Sequence, residues 1–301
     1  MPKIITPQLL SDINVGFRLM FQEGFAGVTP SYTLFAMEVP STAGEERYGW
    51  LGQFPKVREW IGDRVYRSLK AHGYSLVNRD FEVTVEVDRN DIEDDKLGLY
   101  KPMMVELGRA AAEHPDDLCY ETLKAGFTTP CYDGQNFFDT DHPVVDANGT
   151  EQSVSNYTAG AGPAWFLMDL SRAVKPVIFQ KRRPYEFQAL DNPKVHESVF
   201  KTKKYVYGAD GRSNAGFGLW QLAHASKAPL DETNLKAAWT SMIEMKGDEG
   251  RLLGIRPTHL VIPSSLIFTA KKLVENPIAA NGATNELAGL VKVHDTPQLA
   301  A

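Results

Sequence analysis

Cysteine is scarce in this sequence: Cys119 and Cys131 are the only two among 301 residues, and neither belongs to a CxxC pair. Two cysteines cannot build the disulfide framework of a small secreted domain. We therefore interpret both as small, buried or half-buried thiols of a protein that resides in a reducing compartment.

Long hydrophobic runs are also missing. No stretch approaches the roughly 18 apolar residues of a membrane-spanning helix, and the first residues, MPKIITP, lack the apolar region of a secretory signal. These absences predict a protein that is made in the cytoplasm and stays there until it is assembled into something. Hydrophobic residues make up 43% and charged residues 23%, which is typical of a globular chain with a substantial core.

An excess of positive charge is the third absence, since the net charge is -6 and the pI is near 5.7. Affinity for nucleic acid comes from neutralising phosphates, so this balance disfavours a dedicated nucleic-acid-binding protein. Basic residues cluster only at 181–183 and 201–204. They could form a DNA-facing patch or, as is more usual, protect the edge of a strand.

Apolar periodicity predicts a helix near the N-terminus and a strand further on. The helix is predicted to have Thr6 as its N-cap, Pro7 as its first residue and Gly24 as its end. Its single apolar stripe must dock on its own domain or on a neighbouring subunit. Residues 81–88 alternate strictly between apolar and polar side chains, which is typical of a strand. Residues 74–77 are its predicted hairpin partner.

A longer helix is predicted over about 97–127, with a kink or restart at Pro115. Loosely alternating basic and apolar residues predict strands at 175–188 and 199–206. Four glycines predict a loop at 208–218. There is no internal repeat, heptad run or low-complexity segment, so we expect a large α+β protein.

Residues 48–64 combine large aromatic side chains with charges and glycines, and they follow neither a helical nor a strand period. Aromatic residues in an irregular segment often mark a contact surface. A small local core beneath a loop would explain the same composition.

Several polar groups could suggest chemistry. Asp139, Asp141 and His142 are of metal-ligand type, but a turn with satisfied side chains explains them better. Cys131 and His142 lack any nucleophile signature around them. The glycines at 208–218 fit neither a GxGxxG nor a GxxxxGK(S/T) phosphate loop. We predict no catalytic residue, no cofactor and no metal ligand, and expect Asp139→Ala and His142→Ala to change stability only modestly.

Seven stretches carry a resemblance to a known family. They are VPST at 39–42, YGWLG at 48–52, PKVREWIGDR at 55–64, NDIEDDKLG at 90–98, DGQNFFDTDHP at 133–143, YGADGRSNAGFGLW at 207–220 and GIRPTHLVIP at 254–263. In this order they resemble the major head subunit family of Mu-like tailed phages. The resemblance covers essentially the whole chain.

The resemblance implies a fold and its division into parts. The fold would be the Hong Kong 97-like phage capsid fold, an α+β fold. Residues 1–45 would be the N-terminal arm and 46–92 the extended hairpin loop region. Residues 93–130 would hold the spine helix of the peripheral domain, and 131–301 the axial domain with interleaved peripheral-domain strands.

The resemblance also implies a function: a structural, non-enzymatic major capsid protein. Copies would assemble in the host cytoplasm into the hexamers and pentamers of an icosahedral shell, which becomes the virion capsid. Other partners would be a scaffolding protein, a portal and packaged double-stranded DNA bound without sequence specificity, with no membrane involved. A decoration protein is left open.

The aromatic segment supplies the candidate contact residues. If it lies across a neighbouring subunit, Trp50 and Trp60 can fill pockets, and Arg58 and Arg64 can make bidentate contacts with carboxylates. Together with Glu59, these four are the candidates for inter-subunit contact.

The sequence leaves two alternative functions open. The chain could form a nanocompartment shell of the same fold around protein cargo, although the phage-type motifs argue against it. It could also be a metal-dependent hydrolase that uses Asp139, Asp141 and His142, for which the sequence offers no second half of a site.

Overall fold

A computed structural model describes residues 4–52, 73–94, 96–192, 197–278 and 282–300. The helices of this part are α1 (Pro7–Ala26), α2 (Arg89–Glu93), α3 (Lys101–Ala125), α4 (Glu197–Thr202), α5 (Glu232–Ile243) and α6 (Ile267–Val274). The strands are β1 (Ala36–Pro40), β2 (Glu45–Arg47), β3 (Ser75–Val77), β4 (Arg79–Asp88), β5 (His142–Val145), β6 (Glu151–Val154), β7 (Tyr157–Thr158), β8 (Trp165–Met168), β9 (Val177–Leu190), β10 (Lys204–Phe217), β11 (Ala223–Ser226), β12 (Lys246–Gly247), β13 (Arg251–Leu252), β14 (His259–Pro263) and β15 (Lys292–Thr296). None of the described helices is long and apolar enough to cross a membrane. The arrangement is α+β, as the sequence predicts.

Helix α1 begins where its capping residues predict. The side chain of Thr6 accepts a hydrogen bond from the backbone N–H of Leu9 (3.1 Å), and Pro7 opens the helix. The predicted end at Gly24 is wrong, because the helix continues to Ala26. The apolar stripe docks on the same chain, against α3 and the sheet beside it.

Gly24 belongs inside α1 for a tertiary reason. A Cβ at this position would lie 1.9 Å from the backbone oxygen of Val105 in α3, and a Cβ at Gly108 would lie 2.0 Å from the backbone oxygen of Phe21. The two helices therefore touch backbone to backbone, one glycine on each side. No other residue type permits this approach.

Helix α3 runs without interruption through Pro115, so a restart of the helix there is wrong, and the alternative of a kink stays a prediction. Proline removes one backbone hydrogen bond from a helix interior. Buried side chains on both sides of it, among them Leu107, Ala111, Leu118 and Cys119, fix the helix against the rest of the chain. Tertiary packing therefore outweighs the local preference.

A four-stranded sheet with the order β1-β9-β10-β4 packs against α3. The predicted strand at 81–88 is confirmed as part of β4, but its predicted hairpin is wrong: β4 pairs antiparallel with β10, and β3 pairs with β2. The strand prediction for 175–188 holds for β9, whereas 199–206 is divided between α4 and β10.

The predicted loop at 208–218 is also wrong, since most of it belongs to β10. Its glycines make room for neighbouring elements. A Cβ at Gly216 would lie 2.4 Å from a methyl carbon of Leu76, and a Cβ at Gly208 would lie 2.7 Å from the backbone oxygen of Val83. Glycine in a strand often marks such close approach.

The second large sheet has the order β15-β14-β8-β11-β7 and builds the main core with α5, α6 and the C-terminal half of α3. Strand β8 is buried at every position. The largest fully buried side chains of this core include Trp165, Phe166 and Trp220. Helix α3 thus contributes to both regions, with its first half against α1 and β10 and its second half in the main core.

The glycine contact gives a direct test of the fold. Gly24→Ala should lower the free energy of unfolding by about 3 kcal/mol or more, at or beyond the usual range of about 1–3 kcal/mol for overpacking, because the obstructing atom is backbone and cannot rotate away. Gly16 lies in the same helix with nothing within 4 Å of its Cβ position. Gly16→Ala should therefore be neutral or stabilising by up to about 1 kcal/mol. Urea unfolding of both variants would show similar shifts if the contact were wrong.

Candidate assembly surfaces and a buried polar cluster

The aromatic segment is anchored on a two-stranded stem. Strands β2 and β3 pair antiparallel, and the backbone N–H of Tyr48 donates to the backbone oxygen of Tyr74 (2.9 Å). The residues on the two sides of the segment, 45–48 and 74–77, are therefore held side by side. Both ends are fixed to the body of the subunit.

A buried hydrogen-bond network holds this stem. The Tyr48 hydroxyl donates to Gln180 Oε1 in β9 (2.8 Å), and the Gln180 amide donates to Asn78 Oδ1 (2.8 Å) and to the backbone oxygen of Leu76 (3.1 Å). Asn78 in turn donates to Ser41 Oγ (2.8 Å). Burial raises the pKa of Tyr48, so its hydroxyl keeps its proton as a donor. A satisfied buried network of this kind fixes geometry.

The candidate contact residues lie on this segment, but only one is described. Trp50 is 41% exposed and meets the ring of Tyr48 edge-on, with 6.3 Å between ring centroids. Arg58, Glu59, Trp60 and Arg64 lie outside the described residues. Their role in inter-subunit contact stays a prediction.

Exposed apolar side chains form a second set of candidate contact residues, which the sequence did not predict. The largest exposed fractions belong to Ile4, Phe200 and Phe268, and Val15 and Leu19 are exposed one turn apart on α1. Single exposed apolar residues are ordinary, but several on helices suggest contact surfaces. The sequence signal was present in α1, where both residues lie off the predicted stripe.

The basic clusters are largely neutralised within the subunit. Lys181 pairs with Glu38 (3.1 Å), and Arg183 pairs with Asp210 on the neighbouring strand. At Lys181 strand β9 is flanked by β1 and β10, so the strand-edge explanation is wrong there, whereas the pairing with β1 does not reach Arg182 and Arg183. Cross-strand charge pairing explains these residues better, and it leaves the alternative of a DNA-facing patch without a specific observation in its favour.

The predicted turn at 139–142 keeps the side chains of Asp139 and Asp141 within hydrogen-bond distance of each other but turns the His142 ring away from them. Asp139 accepts hydrogen bonds from Asn136 and from the backbone N–H of Thr140 (2.7 Å), as expected for a satisfied turn, while Asp141 is exposed. His142 points elsewhere and is fully buried, with its ring stacked on Trp220 at 3.9 Å between centroids. Because His142→Ala would empty a packed polar site, the structure leads us to expect a larger loss of stability than the sequence suggests.

His142 instead meets Cys131 and Asp133, a group that sequence reasoning did not assemble. Its Nδ1 lies 2.8 Å from one oxygen of Asp133, and Cys131 Sγ donates to the other at 3.1 Å. Burial, and then the charge of Asp133, raise the pKa of the Cys131 thiol. Burial also raises the pKa of Asp133, but the hydrogen bonds from His142 and Cys131 outweigh it, and the net shift is downward. The described hydrogen bonds of the Cys131 thiol and the His142 ring go to Asp133 and Asn156, so the pair lacks the direct thiol–imidazole contact that activates a cysteine nucleophile.

Comparison with known families decides what kind of protein carries these surfaces. The model of the Mu-like prophage major head subunit gpT matches residues 10–299. The chain belongs to this family. It is 46% identical over 284 residues to the Mu-like prophage FluMu major head subunit of Haemophilus influenzae, covering 92% of each chain. It is 42% identical over 302 residues to the major capsid protein of Escherichia phage Mu, covering 96% of this chain and 98% of the relative.

Solved structures agree with this Mu-like head subunit assignment. A chain of the procapsid of bacteriophage JBD30 superposes with a TM-score of 0.85 at 48% identity, covering 98% of this chain and all of that one. A chain of the JBD30 capsid gives 0.78 at 38% identity, with 99% and 100% covered. The fold is therefore the Hong Kong 97-like capsid fold, and the protein is a subunit of a phage capsid shell and a component of the virion.

The stem network of this head subunit can be tested with two glutamines of β9. Gln180→Leu should cost about 2 kcal/mol or more of unfolding free energy, because it leaves the Tyr48 hydroxyl and the Asn78 side-chain oxygen buried without their partner. Gln188 is exposed and bonded only to Asp210 among the described residues. Gln188→Leu should change stability by less than about 0.5 kcal/mol. Equal denaturation midpoints in urea would show that the network does not hold the stem.

Proposed function

We infer that this subunit assembles into hexamers and pentamers that close into an icosahedral head around double-stranded phage DNA. The observation that carries this proposal is the whole-chain likeness to a phage procapsid subunit. Closed symmetric shells need many copies of a few modest interfaces. The exposed apolar side chains on several helices and the anchored aromatic segment supply candidate surfaces for such interfaces.

The proposed division of the chain follows the capsid fold. Residues 93–130 hold α3 as the spine helix, and the stem of β2 and β3 is the base of the extended loop within 46–92. In the proposed arm, 1–45, helix α1 rests on its own α3, so the arm would reach a neighbour through the outer face that carries Val15 and Leu19. Residues 131–301 form the axial domain with interleaved peripheral strands.

Further partners follow from the same proposal. The JBD30 capsid is decorated with trimers of a minor capsid protein, and we expect a comparable decoration protein here. A separate scaffolding protein would set curvature during assembly in the host cytoplasm, and a portal would occupy one vertex. The net charge of -6 suits an inner wall along which DNA moves without sequence-specific binding.

A structural rather than catalytic role is part of the proposal. The hydrolase alternative relies on Asp139, Asp141 and His142, but the His142 ring contacts Asp133 and Asn156 instead of the other two carboxylates. The nanocompartment alternative shares the fold, but the relatives reported above are named as phage or prophage head proteins. Terminase and portal genes beside this gene would support a phage head, and a cargo enzyme gene would support a nanocompartment.

Assembly should depend on the aromatic segment more than folding does. An exposed ion pair contributes only about 0–1 kcal/mol, whereas tryptophan and arginine dominate the binding energy of interfaces. We expect the wild type to form capsomers, tubes or shells in sedimentation and electron microscopy. The double variant Arg58→Ala/Trp60→Ala should keep its circular dichroism and cooperative melting but lose most assembly.

Lys56→Ala/Asp63→Ala is the matched control, since it removes two charges from the same segment and spares the proposed anchors. It should assemble like the wild type. Unfolding of the Arg58/Trp60 variant would make the segment a core element, and normal assembly would make it neither core nor contact. A wild type that stays monomeric at all salt and protein concentrations would contradict the capsid proposal itself.

A further inference from the structure

The buried cluster of Cys131, Asp133 and His142 has the composition of a metal site. One ligand atom from each residue can be chosen so that all three lie within 4.8 Å of one another. Ligand atoms around a tetrahedral zinc ion, with bonds of about 2.0–2.3 Å, are about 3.3–3.6 Å apart. The three atoms therefore lie within little more than about 1 Å of the separations that the ion requires.

The hydrogen bonds of Asn156 fix the protonation of His142. The Asn156 amide nitrogen faces the backbone oxygens of Phe137 (2.8 Å), Ala223 (3.2 Å) and Trp220 (3.3 Å), while its oxygen accepts from the backbone N–H of Asp139 (2.9 Å). The same oxygen lies 3.2 Å from His142 Nε2, so Nε2 must carry a proton.

The other ring nitrogen then presents a conflict that a cation resolves. His142 Nδ1 lies 2.8 Å from Asp133 Oδ2. With Nε2 protonated, this contact requires either a proton between the two atoms, carried by the ring or by the carboxyl group, or a cation shared by nitrogen and oxygen. An Nε2–H held by an oxygen while Nδ1 faces the ion is the usual outer-shell arrangement of metal-bound histidine.

We propose that Cys131 Sγ, Asp133 and His142 Nδ1 bind a divalent transition metal ion of the zinc class. The charge balance closes: the ion replaces the thiol proton of Cys131 and the proton between His142 and Asp133. One thiolate, one carboxylate and one neutral imidazole then surround a charge of two, and the cluster stays neutral. Sulfur and imidazole ligands favour zinc over magnesium or calcium.

An unpaired acceptor accompanies the cluster. Gln221 Oε1 is buried without a hydrogen-bond partner among the described residues, and the Gln221 amide donates to the hydroxyl of Tyr132 (2.7 Å), the residue between the two first ligands. A tetrahedral site with three protein ligands takes a fourth from water or another side chain. Gln221 is our candidate to hold that water or to supply that ligand.

The ion would act as a structural clamp. Cys131 and Asp133 belong to the turns that follow α3, His142 opens β5, and Trp220 beneath its ring leads into β11. One ion would join the first two segments directly and the third through the stacked rings of His142 and Trp220. Because metal bound only by the folded chain adds to its stability, removal of the ion should loosen the subunit.

The test uses full-length protein purified without an affinity tag or chelator. Elemental analysis should find about one zinc per chain. After stripping with a chelator, cobalt(II) should bind at one equivalent and give the near-ultraviolet charge-transfer band of a cobalt–thiolate bond. Zinc should also raise the melting temperature of the stripped protein by several degrees.

Cys131→Ser should abolish the thiolate band and weaken cobalt binding by more than the roughly 10–100-fold that loss of an outer-shell partner costs. Cys119→Ser, at the other buried cysteine, is the matched control and should keep both. Folded wild type that takes up neither ion, or a band that survives in Cys131→Ser, would overturn the proposal. If Cys131→Ser does not fold, the wild-type cobalt titration decides: a thiolate band that the control retains supports the site, and absence of the band rejects it.

Discussion

Packing on α3 is the interaction on which the rest of the subunit depends. Its first half meets α1 backbone to backbone through Gly24 and Gly108, and its second half enters the main core. Between them Asp116, which is almost fully buried, accepts hydrogen bonds from the backbone N–H groups of Ser31 (2.9 Å) and Tyr32. One helix therefore fixes the N-terminal segment, the long-stranded sheet and the second sheet relative to one another.

This organisation separates what folds the subunit from what can join subunits. The interior is closed by close helix contacts, by the buried Gln180 network and by the Asn156–His142 cluster. The exposed apolar residues lie outside these features, and Trp50 of the aromatic segment is also exposed, whereas Tyr48 and Leu51 at the start of that segment belong to the core. A capsid subunit needs this separation, since it must fold before it assembles and must reuse the same surfaces in hexamers and pentamers.

Sequence reasoning succeeded where local periodicity carries the information. The capping of α1 by Thr6 and the alternation of β4 are properties of neighbouring residues, and both were predicted. The partner of β4 was not, because β10 lies more than a hundred residues later in the chain. Glycines were misread for the same reason: Gly24 looks like a helix end and Gly216 like a loop, and only the approaching neighbours explain them.

For the candidate sites too, the sequence was sufficient where its pattern carries the information and insufficient where the fold decides which residues meet. Whole-chain motifs were sufficient for the family and its fold, because many weak matches in one order are jointly specific. The Cys131–Asp133–His142 cluster was missed, although all three residues were in view. The sequence suggested pairing His142 with Asp139 and Asp141, but the turn directs the His142 ring toward Asp133 and Asn156. A turn of this kind cannot be read from spacing alone.

Electron cryo-microscopy of shells formed by the full-length chain, at a resolution that shows side chains, tests the central claim most directly. The account predicts that Trp60 and Arg58 contact a neighbouring subunit while β2 and β3 keep the stem on their own subunit. A map in which this segment packs only against its own subunit, with no contact to a neighbour, would contradict it.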